Sequence, residues 1–423
     1  MGFGQRLQEI REGFTPSFWV ANVTELFERL AYYGPQAVLA IYLHEHLGLT
    51  SEQSTWLIGY YGLVVWFMPI LGGALADRFG FRNTLAGAFF ILSVGNFLLG
   101  SLSASWMAPV REALPLYALM HLIMLVPALG PAVVKPVVVG TTARAAKENV
   151  RSIGYSIYYT VVNVGAFLGP IVASMVRRSV GVENVFRVSA AVTLAMAVVT
   201  LLFYREPDRE AGAPVTSVGQ TIRNLLRVLG DGRFVTFLVI FSGFWVVFWQ
   251  QYLTLPIYVR TYVDPNANID ALLAWEAGTV ILCTFLVNYL TRKVPAFIAI
   301  IAGVLISSLS WLFLTIGSGT GFIIAALIVL AIGEVVQAPR YYEYISRLAP
   351  PGQQGLFMGY AFLPIGIGYF VGGWVAGKLL HHFGEVLGRP ASMWYWLSAA
   401  GVVTTLLLIA YDRLLRPKEA TAS

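Results

Sequence analysis

Charge is scarce in this 423-residue chain: Asp, Glu, Lys and Arg together make up 12% of it. A soluble globular domain carries about a quarter, so the composition excludes a soluble enzyme. It also excludes a disordered chain and a nucleic-acid-binding domain, the latter despite a net charge of +6. Cysteine is nearly absent. The single thiol, Cys283, sits inside an apolar run, which excludes an internal disulfide and a cysteine-based metal cluster; it reads as buried and inert. A cleavable leader is missing too: Met1 to Ser17 is too polar for one, and Arg6 stands where a myristoylation motif needs Ser or Thr. Insertion is expected to begin with the first apolar segment. Apolar residues are what the chain has in quantity, with 57% hydrophobic, 14% aromatic and a mean hydropathy of +0.70. A spanning helix takes about 20 such residues. The composition therefore implies an all-α polytopic membrane protein.

Twelve apolar segments are readable, near 18–45, 54–76, 84–104, 114–141, 152–175, 185–204, 234–259, 270–290, 295–316, 320–345, 355–380 and 392–412. Placing both termini in the cytoplasm puts 18 Lys and Arg residues inside and seven outside, as positive-inside orientation requires. The expected location is the cell (inner) membrane. The polar stretch 205–233 divides the segments six and six, into an N-terminal bundle (1–204) and a C-terminal bundle (234–423). Within it Val218, Ile222, Leu225, Leu226 and Leu229 recur at helical spacing. That pattern reads either as an amphipathic helix on the inner surface or as a flexible tether.

The charges inside the apolar segments carry the most information, because each costs roughly 2.5–3.5 kcal/mol at mid-bilayer. They are Glu25, Glu28 and Arg29 in the first segment, Lys135 in the fourth, and Glu334, Arg340 and Glu343 in the tenth. Glu25, Glu28 and Arg29 fall on one helical face at i, i+3 and i+4. Two acids sharing one cation form a switch. Arg29 holds one carboxylate ionised while the other takes a proton, and the pair titrates as a unit. Lys135 and Glu334 lie on different bundles, one cationic and one anionic wall for a zwitterion. A ligand bridging them would draw the bundles together, as alternating access requires. His121 reads as a packed or interfacial histidine and His381 and His382 as solvated. Glu276, early in the eighth segment, is left open between an interfacial and a functional role.

Gly73-Ala-Leu-Ala-Asp77-Arg78-Phe-Gly80-Phe-Arg82 links segments two and three. Two six-helix halves carrying this cytoplasmic gate motif resemble the major facilitator superfamily over nearly the whole chain. Glu25-x-x-Glu28-Arg29-Leu-x-Tyr32-Tyr33-Gly34 further resembles the first-helix signature of the proton-dependent oligopeptide transporters. Lys135-Pro136, Tyr159-x-x-x-Asn163-x-Gly165-Ala-Phe-x-x-Pro170, Gly333-Glu334 with Pro339, and Leu348-Ala349-Pro350 with Gly355 and Met358-Gly359 follow in the same order. The resemblance implies proton coupling at Glu25, Glu28 and Arg29. It places the substrate carboxylate at Lys135, the substrate backbone at Asn163 and the substrate amine at Glu334, with Tyr32 and Tyr33 lining the cavity. It implies a monomeric symporter for small peptides or peptide-like zwitterions, with the proton as coupling ion and no cofactor, metal or nucleic-acid partner.

Three positions depart from the family pattern. Gln36 stands where an arginine is usual, Trp66 where a tyrosine is usual, and Trp249, just before Gln250, where an acid is usual. Each counts among the expected substrate-binding positions, and the exchange makes the pocket less polar. Arg340 and Glu343 are candidates for restoring charge near its inner end. Tyr158, Tyr159, Trp245, Trp249 and Tyr252 read either as a pocket wall or as ordinary helix packing. Gly165-x-x-x-Gly169-Pro170 partly resembles the fifth-helix motif of drug antiporters, although small residues there also simply permit close packing. Proton-coupled efflux of drug-like or lipid-like compounds is thus the alternative, and a non-transporting sensor a weaker one. No nucleophile–base constellation suggests an enzyme.

Overall fold

In a lipid solvent every backbone N–H and C=O must be satisfied within the protein, which leaves the helix as the one open-ended solution. A computed structural model of the chain describes residues 12–206, 219, 223, 226, 229–348 and 359–415. Among them the only extended pairing is an isolated bridge between Phe14 and Ala146; the rest is helix and short connection.

The first span is Pro16–Ile41, the second Ser51–Phe67 continued by Pro69–Phe79, and the third Phe81–Leu99. Leu116–Arg144, Arg151–Val180 and Val182–Phe203 are the fourth to sixth. The seventh runs over Gly232–Val263 and the eighth over Ile269–Thr291. Ala296–Ile316, Thr320–Leu348, Leu363–Val386 and Met393–Leu414 complete the set. Ten of these helices are long and apolar enough to cross a membrane. The other two fall short for identifiable reasons. The first carries the charges of Glu25, Glu28 and Arg29, and the second is broken at Met68 ahead of Pro69, which has no N–H to give. The seventh starts on Asp231, whose carboxylate accepts from the N–H groups of Arg233 (3.0 Å) and Phe234 (3.2 Å), satisfying donors that a helix start leaves open.

The chain packs as two units. One gathers the described residues of Met1–Leu49, Val64–Thr221 and Asn268–Ala274; the other gathers those of Thr50–Leu63, Ile222–Ala267 and Trp275–Ser423. Besides the division near the linker, two short stretches of the second and eighth spans are therefore exchanged. Of the expected linker helix, Val218, Ile222 and Leu225 lie outside the described residues, while Leu226 and Leu229 are exposed.

In the first unit the first span packs on the fourth, fifth and sixth, and the third on the fourth and sixth. The first and fifth approach closely enough that Cβ atoms would not fit between them. One added at Gly165 would lie 2.5 Å from Arg29 Cβ and 3.0 Å from the Leu26 carbonyl oxygen; one at Gly169 would lie 3.0 Å from Gly34 N. The glycine spacing of the fifth span is used for helix contact. The exchanged stretch is held by Arg177, whose Nε and Nη2 each lie 2.9 Å from Asp270 Oδ2.

In the second unit the ninth span packs on the tenth and twelfth, and the seventh on the eleventh and twelfth. Its exchanged stretch is held by Lys378 Nζ donating to Glu52 Oε1 (3.0 Å) and Ser51 Oγ donating to Glu385 Oε1 (3.0 Å). The core of this unit is aromatic. Phe241 stacks on Tyr341 (ring centroids 4.1 Å apart), Trp249 lies against Tyr369 (4.2 Å), and Trp311 stacks on Trp394 (4.9 Å). Offset rings of this kind add about 0.5–1.5 kcal/mol per pair beyond the area they bury.

Candidate functional site

Helical spacing brings Glu25, Glu28 and Arg29 to one face of the first span, and all three side chains are buried there. Arg29 Nε lies 2.5 Å from Glu28 Oε2 and 3.4 Å from Glu25 Oε1. One guanidinium nitrogen thus serves two acids at unequal distances. Glu28 Oε1 and Arg29 Nη2 are enclosed, with no hydrogen-bond partner among the described residues, so the network has hydrogen-bonding capacity left over. Lys135, from the fourth span, lies within electrostatic reach of all three. Its Nζ sits 4.6 Å from the centroid of the Trp66 ring, and Arg29 Cζ sits 5.1 Å from that of Tyr32. Both cations therefore rest on aromatic faces, each contact worth roughly 0.5–2 kcal/mol depending on desolvation. With all four groups ionised the charges cancel; a proton on either acid leaves one cation in excess.

Two residues take a part in this site that their sequence context does not specify. Tyr158, read either as a pocket wall or as helix packing, has its hydroxyl in the field of Glu25, Glu28, Arg29 and Tyr33. Trp66, read as a loss of polarity, is the residue that faces the Lys135 ammonium. Tyr33 meets Tyr32 edge to face (5.2 Å), and Gln36 is buried one turn further along. Asn163 Nδ2 donates to its own helix at the Tyr159 carbonyl (2.7 Å). His121 likewise pairs Nδ1 with the Tyr117 carbonyl (2.8 Å).

In the second unit Glu334 and Glu276 lie within each other's electrostatic reach. Glu276, left open by the sequence, is buried and has another acid as its neighbour. Trp249 is buried in the aromatic core. Gln250 is fully engaged, donating through Nε2 to the carbonyls of Val246 (2.7 Å) and Gly372 (3.3 Å) and accepting from Thr254 Oγ1. Arg340 and Glu343 pair with one another (2.8 Å), and Arg340 also donates to the Thr291 carbonyl (2.9 Å), the last of the eighth span. Arg347 adds a second contact to Glu343 at 2.6 Å. These charges tie the ends of the eighth and tenth spans together, a helix-capping arrangement.

The gate motif turns at Gly80, whose φ of +81° suits glycine. Behind the turn the Glu206 carboxylate accepts from the N–H groups of Phe81 (2.7 Å) and Arg82 (2.9 Å), capping the third span from the far end of the sixth. Arg82 donates to the Leu201 carbonyl, and Arg78 is exposed. The side chains of Gly73 and Asp77 lie outside the described ones, as do Ala349, Pro350, Gly355 and Met358. Glu206 had no motif to announce it; its acid follows the sixth span directly, and proximity to the turn is a property of the fold.

The chain matches the family model described as Major Facilitator Superfamily over residues 23–339. Among curated proteins it is similar to multidrug resistance protein MdtH of Aeromonas hydrophila, at 24% identity over 392 residues, 92% of this chain and 94% of that one. Among solved structures it is similar to a POT family transporter in complex with 5-aminolevulinic acid, with a TM-score of 0.74 and 19% identity over 93% of this chain and 95% of that one. It is similar also to a variant of the nucleoside transporter NupG, with a TM-score of 0.75 and 13% identity over 93% and 99%.

Proposed function

Since this chain belongs to the Major Facilitator Superfamily, a family of membrane transporters and not of enzymes, we propose that it is a proton-coupled symporter importing small peptides or peptide-like zwitterions across the inner membrane by alternating access, with both termini in the cytoplasm. The observation that carries this reading is the buried Glu25–Glu28–Arg29 network with Lys135 in its field. Protonation of one acid removes a negative charge from a neutral cluster and leaves an ammonium without its counter-charge. A substrate carboxylate arriving at Lys135 restores the balance. Proton and carboxylate thus favour each other's binding, which is the thermodynamic requirement for symport. Trp66 holds the Lys135 ammonium on its face in the interval, and the substrate amine falls to Glu334.

A second reading, proton-coupled efflux of drug-like compounds, is favoured by the name of the curated relatives, multidrug resistance protein MdtH. The indole in place of an acid at Trp249 agrees with it. Uptake into proteoliposomes, acidic outside and negative inside, from a mixed di- and tripeptide library separates the two. Peptide accumulation that collapses with a protonophore supports symport. Its absence from correctly folded, inserted protein, together with proton-driven extrusion of lipophilic dyes, supports efflux.

A further inference from the structure

The Glu276 and Glu334 side chains belong to the eighth and tenth spans, whose flanking residues pack together, and lie within each other's electrostatic reach. Glu276 is 6% exposed, and Glu334 Oε2 is enclosed with no hydrogen-bond partner among the described residues. An apolar cluster lies beside them. Val280, one helical turn beyond Glu276, packs against Ala331 and Val335, which flank Glu334, and Val287 joins the same cluster. No cation among the described residues acts on either group. The ninth span, packed on the tenth, carries no titratable side chain between Ala296 and Ser310. The cations of the tenth span, Arg340 and Arg347, are engaged by Glu343.

Two adjacent carboxylates in an apolar setting without a counter-ion cannot both stay ionised; the stable arrangement is one proton held between them. We propose that Glu276 and Glu334 share a single proton in the ligand-free protein, and that a substrate ammonium reaching Glu334 displaces it. The inference rests on the reading of Glu334 as the amine-receiving residue and gives Glu276, to which that reading assigns nothing, a positioning role. The exchange balances. One proton leaves for water as one ammonium enters, no bond to carbon changes, and the site, counted as the pair with its occupant, keeps a single net negative charge throughout. The second unit would then trade a proton for a cation, while the first-unit network binds its proton together with a carboxylate. A zwitterion engages both, whereas a substrate with a cationic end alone engages only the exchanging pair.

Infrared difference spectroscopy of the protein in lipid nanodiscs tests the shared proton without any substrate. The expected result is a protonated-carboxyl C=O band in the wild type at neutral pH that is lost in E276Q and equally in E334Q, because an amide in place of either acid donates to the remaining carboxylate and lets it ionise. A band of unchanged intensity in both folded variants overturns the proposal. In weakly buffered medium with a pH-indicator dye, each dialanine bound should leave one more proton in solution than each N-acetyl-dialanine bound, because both carboxylates load the first-unit network and only the free amine discharges the pair. An equal proton balance for the two ligands also overturns it. If dialanine fails to bind, the peptide reading falls, and the displacement is read with tetraphenylphosphonium. Band loss on its binding then upholds the exchange, and a band that persists with the cation bound overturns it.

Discussion

Replacing Gly165 by alanine should cost stability and coupling together, whereas the same change at Gly87 should cost neither. A Cβ on Gly165 points at Arg29 Cβ from 2.5 Å, with the Leu26 carbonyl at 3.0 Å and Leu30 N at 3.3 Å. Two of these three neighbours are backbone of the first span, so relief requires the fifth span to move away from the first. Overpacking of this kind costs about 1–3 kcal/mol. The displaced element also carries Arg29, whose distances to Glu28 and Glu25 set the coupling network. Gly87 lies exposed on the third span with nothing within 4 Å of its added Cβ. There alanine gains the helix preference that glycine lacks, roughly 0.5–1 kcal/mol. The two variants carry identical chemistry and opposite expected signs. Thermal unfolding in one detergent at one scan rate, followed by proton-driven uptake, reads both. G165A should melt lower than the wild type and accumulate less substrate, while G87A should melt at or above it with uptake intact. Equal melting temperatures for the two variants would refute the packing argument.

Glu28→Gln should abolish protonophore-sensitive accumulation yet leave exchange of preloaded substrate measurable, because the acid that Arg29 approaches most closely is gone while Lys135 remains; driven uptake at the wild-type level would remove Glu28 from the coupling role. Glu334→Ala should weaken substrates with a free amine more than their N-acetylated analogues, as judged by competition in uptake; equal loss for both would show that this acid does not receive the amine. Arg340→Ala removes charged hydrogen bonds to Glu343 and to the end of the eighth span, each worth about 1.5–3 kcal/mol. It should lower the unfolding temperature while leaving substrate preference unchanged, and a changed preference with unaltered stability would place Arg340 at the pocket.

The spans and the charged face of the first helix were legible because both are local. Apolar length marks a span, and i, i+3, i+4 spacing puts Glu25, Glu28 and Arg29 side by side whatever surrounds them. Contacts across the fold were not legible. Glu276 and Glu334 are 58 residues apart, and nothing at either position announces the other. Glu206 caps a helix that begins 125 residues earlier. Trp66 looked like a lost hydroxyl because its partner, Lys135, is reached only when the second and fourth spans pack. Arg340 and Glu343 looked like spare pocket charge for the complementary reason, since the carbonyl that Arg340 caps is Thr291, on another helix. Residue type showed where energy had to be spent, and tertiary packing decided on what.

The stacked indoles of Trp311 and Trp394, buried side by side in the second unit, give the molecule an optical asymmetry. Of its 11 tryptophans, eight belong to that unit and only Trp19, Trp66 and Trp106 to the first. Indole rings held fixed in a packed core give near-ultraviolet circular dichroism that is lost when the packing melts. Loss of that signal therefore follows mainly the melting of that unit. In the other, Trp66 lies beneath the Lys135 ammonium, so a variant keeping Trp66 as its sole tryptophan would report by its emission what binds there.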